Sequence, residues 1–203
     1  MPRALLVACL LGLTVGCTEL PNDVGVRRDR SVATQTSIAS RHPIFSSWYE
    51  DPAAKGETKI VLDLTKQQAF FYRGETLIGR TNISSGRREF ETPPGKYRVI
   101  QKDANHVSSQ YGQYVARHSG AVLRRDVDVN NDPAPKGAKF VGSPMPYFLR
   151  FRGGYGMHAG FVPRFRASHG CVRMPIKMAK HFFEAAEIGT RVEVIEPPIM
   201  VER

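Results

Sequence analysis

Cysteine, acid and long apolar runs are all scarce in this chain. Three cysteines occur in 203 residues, Cys9, Cys17 and Cys171. None belongs to a Cys-x-x-Cys pair and no His-Glu-x-x-His occurs, so the ligand spacing of a zinc site is missing and no metal is expected. The apolar stretch Ala4 to Val15 falls short of the about 20 residues that a membrane-spanning helix needs. Asp and Glu number 19 against 29 Lys and Arg, a formal charge of +10. That surplus suits an anionic partner such as a carboxylate-rich wall polymer or lipid. Neither a helix-turn-helix nor an aromatic RNA-binding pattern is present, so no nucleic acid is expected. There is no internal repeat.

The first residues read as an export signal. Met1-Pro2-Arg3 is a short positive start, Ala4 to Val15 the apolar run, and Gly16-Cys17 its end. Leu11 to Cys17 resembles a lipoprotein processing site, although Thr14 stands where leucine is usual. Ordinary cleavage near Gly16, or an uncleaved anchor, is the alternative. On the lipoprotein reading, residues 1–16 are a signal peptide, Cys17 carries the lipid, and 17–57 form a flexible tether that holds the chain at a membrane of the cell envelope, in the periplasm. Residues 18–57 hold five Lys and Arg against six Asp and Glu. The positive surplus therefore belongs to the domain expected over 58–203. Ile44, Phe45, Trp48 and Tyr49 interrupt the polar tether and are expected to dock on that domain.

From Lys59 the pattern is mainly β with a minor α component. Ile60-Val61-Leu62 and Ala69 to Tyr72 flank a polar turn, Thr76 to Ser84 is strand-like, and Tyr97 to Ile100 alternates. Residues 103–146 are irregular and rich in Asn, Asp, Gly and Pro, with Lys139 to Pro146 expected as a loop near the site. Tyr147 to Phe151 reads as a strand. Pro175 suits a first helical position, Ile176, Ala179, Phe183 and Ala186 recur at helical spacing, and Gly189 follows the helix. Arg191 to Ile195 is a closing strand.

The chemistry gathers at Ser168-His169-Gly170-Cys171-Val172-Arg173. Loss of Cys9 with the signal and of Cys17 to lipid leaves Cys171 as the one free thiol in an oxidising compartment, beside an imidazole and an arginine that favour its thiolate. A second imidazole, His158, lies in a glycine-rich stretch from Gly153 to Gly160. One thiol and two imidazoles are the parts of cysteine acyl transfer. Neighbouring positions two apart share a face in an extended chain, so adjacency alone leaves His158 and His169 both open as base. Gly170 is expected to leave its own amide and that of Cys171 free as oxyanion donors. Ser168 is expected near substrate, bonding a histidine or shaping the turn. Arg173 either grips a substrate carboxylate or makes a structural ion pair. His106, His118 and His181 read as loop or helix-surface residues.

With these residues the chain resembles the L,D-transpeptidase catalytic-domain family, which carries a histidine element followed by Ser/Thr-His-Gly-Cys-x-Arg/Asn. The second element is complete from Ser168 to Arg173, and the first is Met157-His158-Ala159-Gly160. Lys59 to Leu64, Gln67 to Glu75 and the turn Thr92-Pro93-Pro94-Gly95 resemble the rest of that domain, so the likeness spans roughly 58–196. It implies a small β-barrel or sandwich and no cofactor. It implies acyl transfer on peptidoglycan stem peptides, with Cys171 as nucleophile, His158 moving the proton and His169 supporting. Stem amines, an outer-membrane lipoprotein's lysine or a free D-amino acid are open as acceptors. An L,D-carboxypeptidase using water, and a cell-wall-binding lipoprotein without turnover, are the alternatives.

Overall fold

The computed structural model describes residues 45–163 and 165–196. The expected signal peptide, Cys17 and the expected tether up to residue 44 lie outside the described residues. Among the described residues, strands make up 49% and helix 7%, as the mainly β reading expects.

The largest sheet is built from β1 (Ser46–Trp48), β2 (Thr58–Asp63), β3 (Gln68–Arg73), β4 (Thr76–Asn82), β5 (Gly95–Arg98) and β13 (Arg191–Ile195), in the order β1-β4-β3-β2-β13-β5. Its register follows from alternation. Ile60 and Leu62 of β2 turn to the core, and Val192 and Val194 of β13 lie parallel beside them, Val192 opposite Ile60 and Val194 opposite Leu62. A second sheet joins β6 (Gln101–Asp103), β10 (Phe148–Arg152), β11 (Tyr155–Ala159) and β12 (Val172–Met174), in the order β12-β11-β10-β6. The sheets remain open, so the sandwich alternative fits and the barrel does not.

Helix α1 (Ile176–Ala185) packs between them. Its buried stripe is Met178, Ala179 and Phe182, continued by Ala186. Of the expected stripe, Ala179 and Ala186 are buried, but Ile176 is exposed and Phe183 only half-buried, and Pro175 occupies the N-cap position rather than the first turn. The Phe182 ring meets Phe71 edge-on at 5.2 Å, in a core that also draws Leu149, Met157, Val172 and Met174 from the second sheet.

Two expectations change. Residues 46–48, assigned to the tether, form an edge strand, and Trp48 packs on Phe71, Phe182 and His181. A Cβ at Gly79 would come 2.3 Å from the Trp48 ring, so only glycine leaves room for that docking. The domain therefore begins before residue 58. Trp48 docks as expected, whereas Phe45 and Tyr49 stay exposed.

The irregular region 103–146 is in fact a third sheet. It holds β7 (Val107–Ala116), β8 (Val122–Asp128) and β9 (Ala138–Pro144), with β7 central. Lys139 to Pro144 is thus strand, not loop. This sheet closes on its own small cluster of Tyr114, Val127 and Ala138.

Candidate active site

The reactive residues lie along two neighbouring parallel strands, His158 within one and Cys171 just before the other. β11 and β12 pair in parallel with His158 opposite Arg173, so the crossover from 160 to 171 returns the chain to the same edge and places Cys171 just before β12. Isolated bridges from Ser84 to Arg173 and from Gly86 to Ser168 pin this crossover to the segment after β4.

The turn is rigidly wired. The Ser168 hydroxyl donates to the Cys171 carbonyl and accepts the Gly170 amide at 3.1 Å. Thr92 Oγ1 donates to the Gly170 carbonyl at 2.7 Å. Gly170 has φ +110°, and a Cβ there would lie 2.7 Å from the Tyr155 ring, so glycine is required twice over. These bonds bear on two expectations. The Gly170 amide is spent on Ser168, whereas Cys171's own amide has no partner among the described residues. Ser168 is only 1% exposed and both sides of its hydroxyl are engaged, so it shapes the turn rather than holding a histidine or substrate.

Cys171 is the free cysteine of the described residues. Its Sγ lies 3.5 Å from the Gly154 carbonyl, at the turn into β11. Burial pushes the thiol up, while the Gly156 amide and the charges of Arg150 and Arg173 favour its thiolate less strongly. The sulfur therefore rests as a thiol and needs a base.

The two imidazoles differ in what their nitrogens are doing. His158 is 7% exposed, and its Nδ1 donates to the Ala159 carbonyl at 2.8 Å, which leaves Nε2 with a free lone pair. Burial, with the nearby charges of Arg173 and His106, lowers its pKa to about 4, against the raising effect of the Ala159 bond. It is a neutral acceptor at pH 7. On His169, by contrast, Nε2 accepts a hydrogen bond from Arg87 at 2.7 Å. Its ring stacks on Tyr111 at 4.5 Å and meets Phe90 edge-on at 4.9 Å. Burial first, then Arg87, lowers its pKa. Its lone pair is occupied. Among the described residues neither imidazole hydrogen-bonds the sulfur.

A cleft of about 590 Å³ joins these groups. His158, His169, Cys171 and Arg173 line one side, and Tyr111, Arg125, Asp126 and the stretch from Val141 to Met145 line the other. Arg173 is half-buried and makes no ion pair among the described residues, so of its two readings the structural ion pair finds no partner. Arg87, Tyr111 and Asp126 had no signal in the sequence: they come to the site from three separate strands and turns. His106 Nδ1 donates to the Asp103 carboxylate at 3.0 Å and its ring stacks on Phe148, and His181 stacks on Trp48. No group of three or more His, Cys, Asp or Glu is placed to hold a metal among the described residues.

Comparison with known proteins agrees with this geometry. The fold is similar to an L,D-transpeptidase from Mycobacterium smegmatis, at 18% identity and a TM-score of 0.53, covering 69% of this chain and 59% of that one. It is also similar to an L,D-transpeptidase from Stackebrandtia nassauensis, at 20% identity and a TM-score of 0.50, covering 73% and 60%. The chain thus spans about three fifths of the length of these structures. The sequence finds no match among curated proteins. A sequence model of the YkuD L,D-transpeptidase catalytic domain matches residues 57–194, from the first core strand through the cysteine turn to the closing strand, and on that match the chain belongs to the L,D-transpeptidase catalytic-domain family.

Proposed function

We propose that the chain is a peptidoglycan L,D-transpeptidase that works through a thioester on Cys171. The observation that carries this reading is the division of labour between the imidazoles: His158 keeps a free Nε2, and His169 spends its own on Arg87. As Cys171 Sγ attacks the carbonyl between the third and fourth stem residues, His158 Nε2 takes the thiol proton. The Cys171 amide meets the developing oxyanion. D-alanine leaves as the C–N bond breaks and takes the proton from His158. An amine then displaces the thiol, or water does, which would give the carboxypeptidase from the same acyl-enzyme. Arg173 faces the cleft with a free guanidinium suited to a substrate carboxylate.

Incubation with purified tetrapeptide muropeptides tests the reading. Mass spectrometry should find D-alanine release with amide-linked dimers, and none with Cys171→Ala. Release by the Cys171→Ala protein would overturn it. The same reading places the chain in the cell envelope, anchored by lipid on Cys17, on the strength of the Ala4–Val15 run and Gly16-Cys17. Cys17→Ser should then move the protein from the membrane to the soluble fraction, and identical partitioning of the two forms would remove the anchor.

A further inference from the structure

One carboxylate lines the cleft among the described residues, that of Asp126. Around it stand the guanidinium groups of Arg125 and Arg173, with Arg87 held on His169. In so cationic a cleft an acid would be expected to pair with an arginine. Asp126 makes no close ion pair with an arginine among the described residues: its charge favours that of Arg173 only at longer range, and His169 Nε2 lies 3.8 Å from its carboxylate. That imidazole is neutral near pH 7, because burial and Arg87 lower its pKa. The side chain of Asp126 is 74% exposed.

The backbone is built to hold it there. Between the pairs Gly112–Val127 and Tyr114–Arg124, one residue of β7, Gln113, faces two of β8, Arg125 and Asp126. This is a β-bulge, which re-aims side chains beside a site. Asp126 takes up the distortion with φ +54°, a left-handed conformation uncommon outside glycine, and it lines the same cleft as Cys171.

We infer that Asp126 docks the ammonium group of the amine acceptor and so sets how much acyl-enzyme is transferred rather than hydrolysed. The inference rests on the proposed transpeptidase reading and adds the residue that chooses between its two outcomes. The donor's leaving end is a carboxylate, which belongs with Arg173. The acceptor arrives as a cation, and Asp126 is the group of opposite sign on the facing sheet. The docked ammonium first releases one proton to solvent. Its nitrogen then bonds the acyl carbon, the C–S bond breaks, and a second proton passes from nitrogen through His158 to Sγ. Water has no charge to dock and gains nothing from Asp126.

The test is the ratio of amide dimer to hydrolysed tripeptide formed from one tetrapeptide muropeptide, which serves as donor and as amine acceptor. That ratio does not depend on how fast the acyl-enzyme is made. Asp126→Asn and Asp126→Gly both tolerate the left-handed backbone and remove the charge. Each should lower the ratio about fivefold, the upper range for a largely exposed ion pair. With methanol as a neutral competing nucleophile, the ratio of ester to acid should stay at the wild-type value. An unchanged amide ratio would overturn the inference while leaving the transpeptidase reading intact. An equal fall with methanol would show that Asp126 only shapes the cleft. Absence of any acyl-enzyme in the wild type would overturn both.

Discussion

The two-sheet sandwich and the three-stranded sheet differ sharply in how they are held. The sandwich shares one core that runs from Ile60 and Phe71 through Met157 and Val172 to Phe182 and Val194. The β7–β9 sheet rests on three buried side chains, Tyr114, Val127 and Ala138. The chemistry is divided along the same line. Cys171, His158 and the Ser168 turn grow out of β11 and β12, inside the large core, whereas Tyr111, Asp126 and the cleft wall from Val141 belong to the thinly cored sheet. Bond making needs positions fixed within a fraction of an ångström, and recognition tolerates adjustment. The fold places Cys171 and His158 beside the larger core and the opposite cleft wall on the sheet with the smaller one, with His169 joining them through its stack on Tyr111.

The sharpest way to break this contrast is to open the large core. Phe182→Ala removes a fully buried ring that touches Phe71 and Trp48, and should cost about 3–5 kcal/mol of global stability, read by chemical denaturation. A loss below about 1 kcal/mol would mean that the sandwich does not depend on α1. Next in size is the base. His158→Ala should slow acylation at least about 100-fold with the fold retained. The same residue sets the acid limb of the rate. Because its pKa is lowered to about 4, the imidazole stays a proton acceptor well below neutrality, and kcat/KM for acylation should fall only as the pH drops through about 4. A limb near 6.5, the ordinary histidine value, would point to an exposed base instead. The smallest effect belongs to the thin sheet. Val127→Ala should cost about 1–3 kcal/mol, confined to local opening. Amide exchange should quicken in β7 and β8 while β2 and β13 keep their protection, and equal acceleration everywhere would show that the two regions unfold as one.

The same contrast explains what the sequence disclosed. β13 is legible because Val192 and Val194 alternate with polar residues, and β2 and β3 because short apolar runs, Ile60 to Leu62 and Ala69 to Tyr72, flank a polar turn. β8 is exposed along five of its seven positions, and its bulge breaks the register, so Val122 to Asp128 carries no period to read. Glycine misled in the same way. Gly153 to Gly160 reads only as a glycine-rich stretch, yet Tyr155–Ala159 is a buried strand in which Gly156 makes room for the Phe148 ring. The helix was visible from its spacing, but Ile176 and Phe183 could not reveal that Met178 and Phe182 face the core, since both stripes satisfy the same periodicity. Ser168 to Arg173 was readable as chemistry because residue types alone imply it. The partners of that element, Arg87 on His169 and Asp126 across the cleft, come together only through long-range pairing.

The most direct test of the central claim is the intact mass of the protein during brief incubation with a tetrapeptide muropeptide. The account predicts one adduct, equal to the muropeptide less D-alanine, mapped by digestion to the peptide containing Cys171 and released by hydroxylamine as a thioester should be. An unmodified Cys171 in a protein that still releases D-alanine would contradict it.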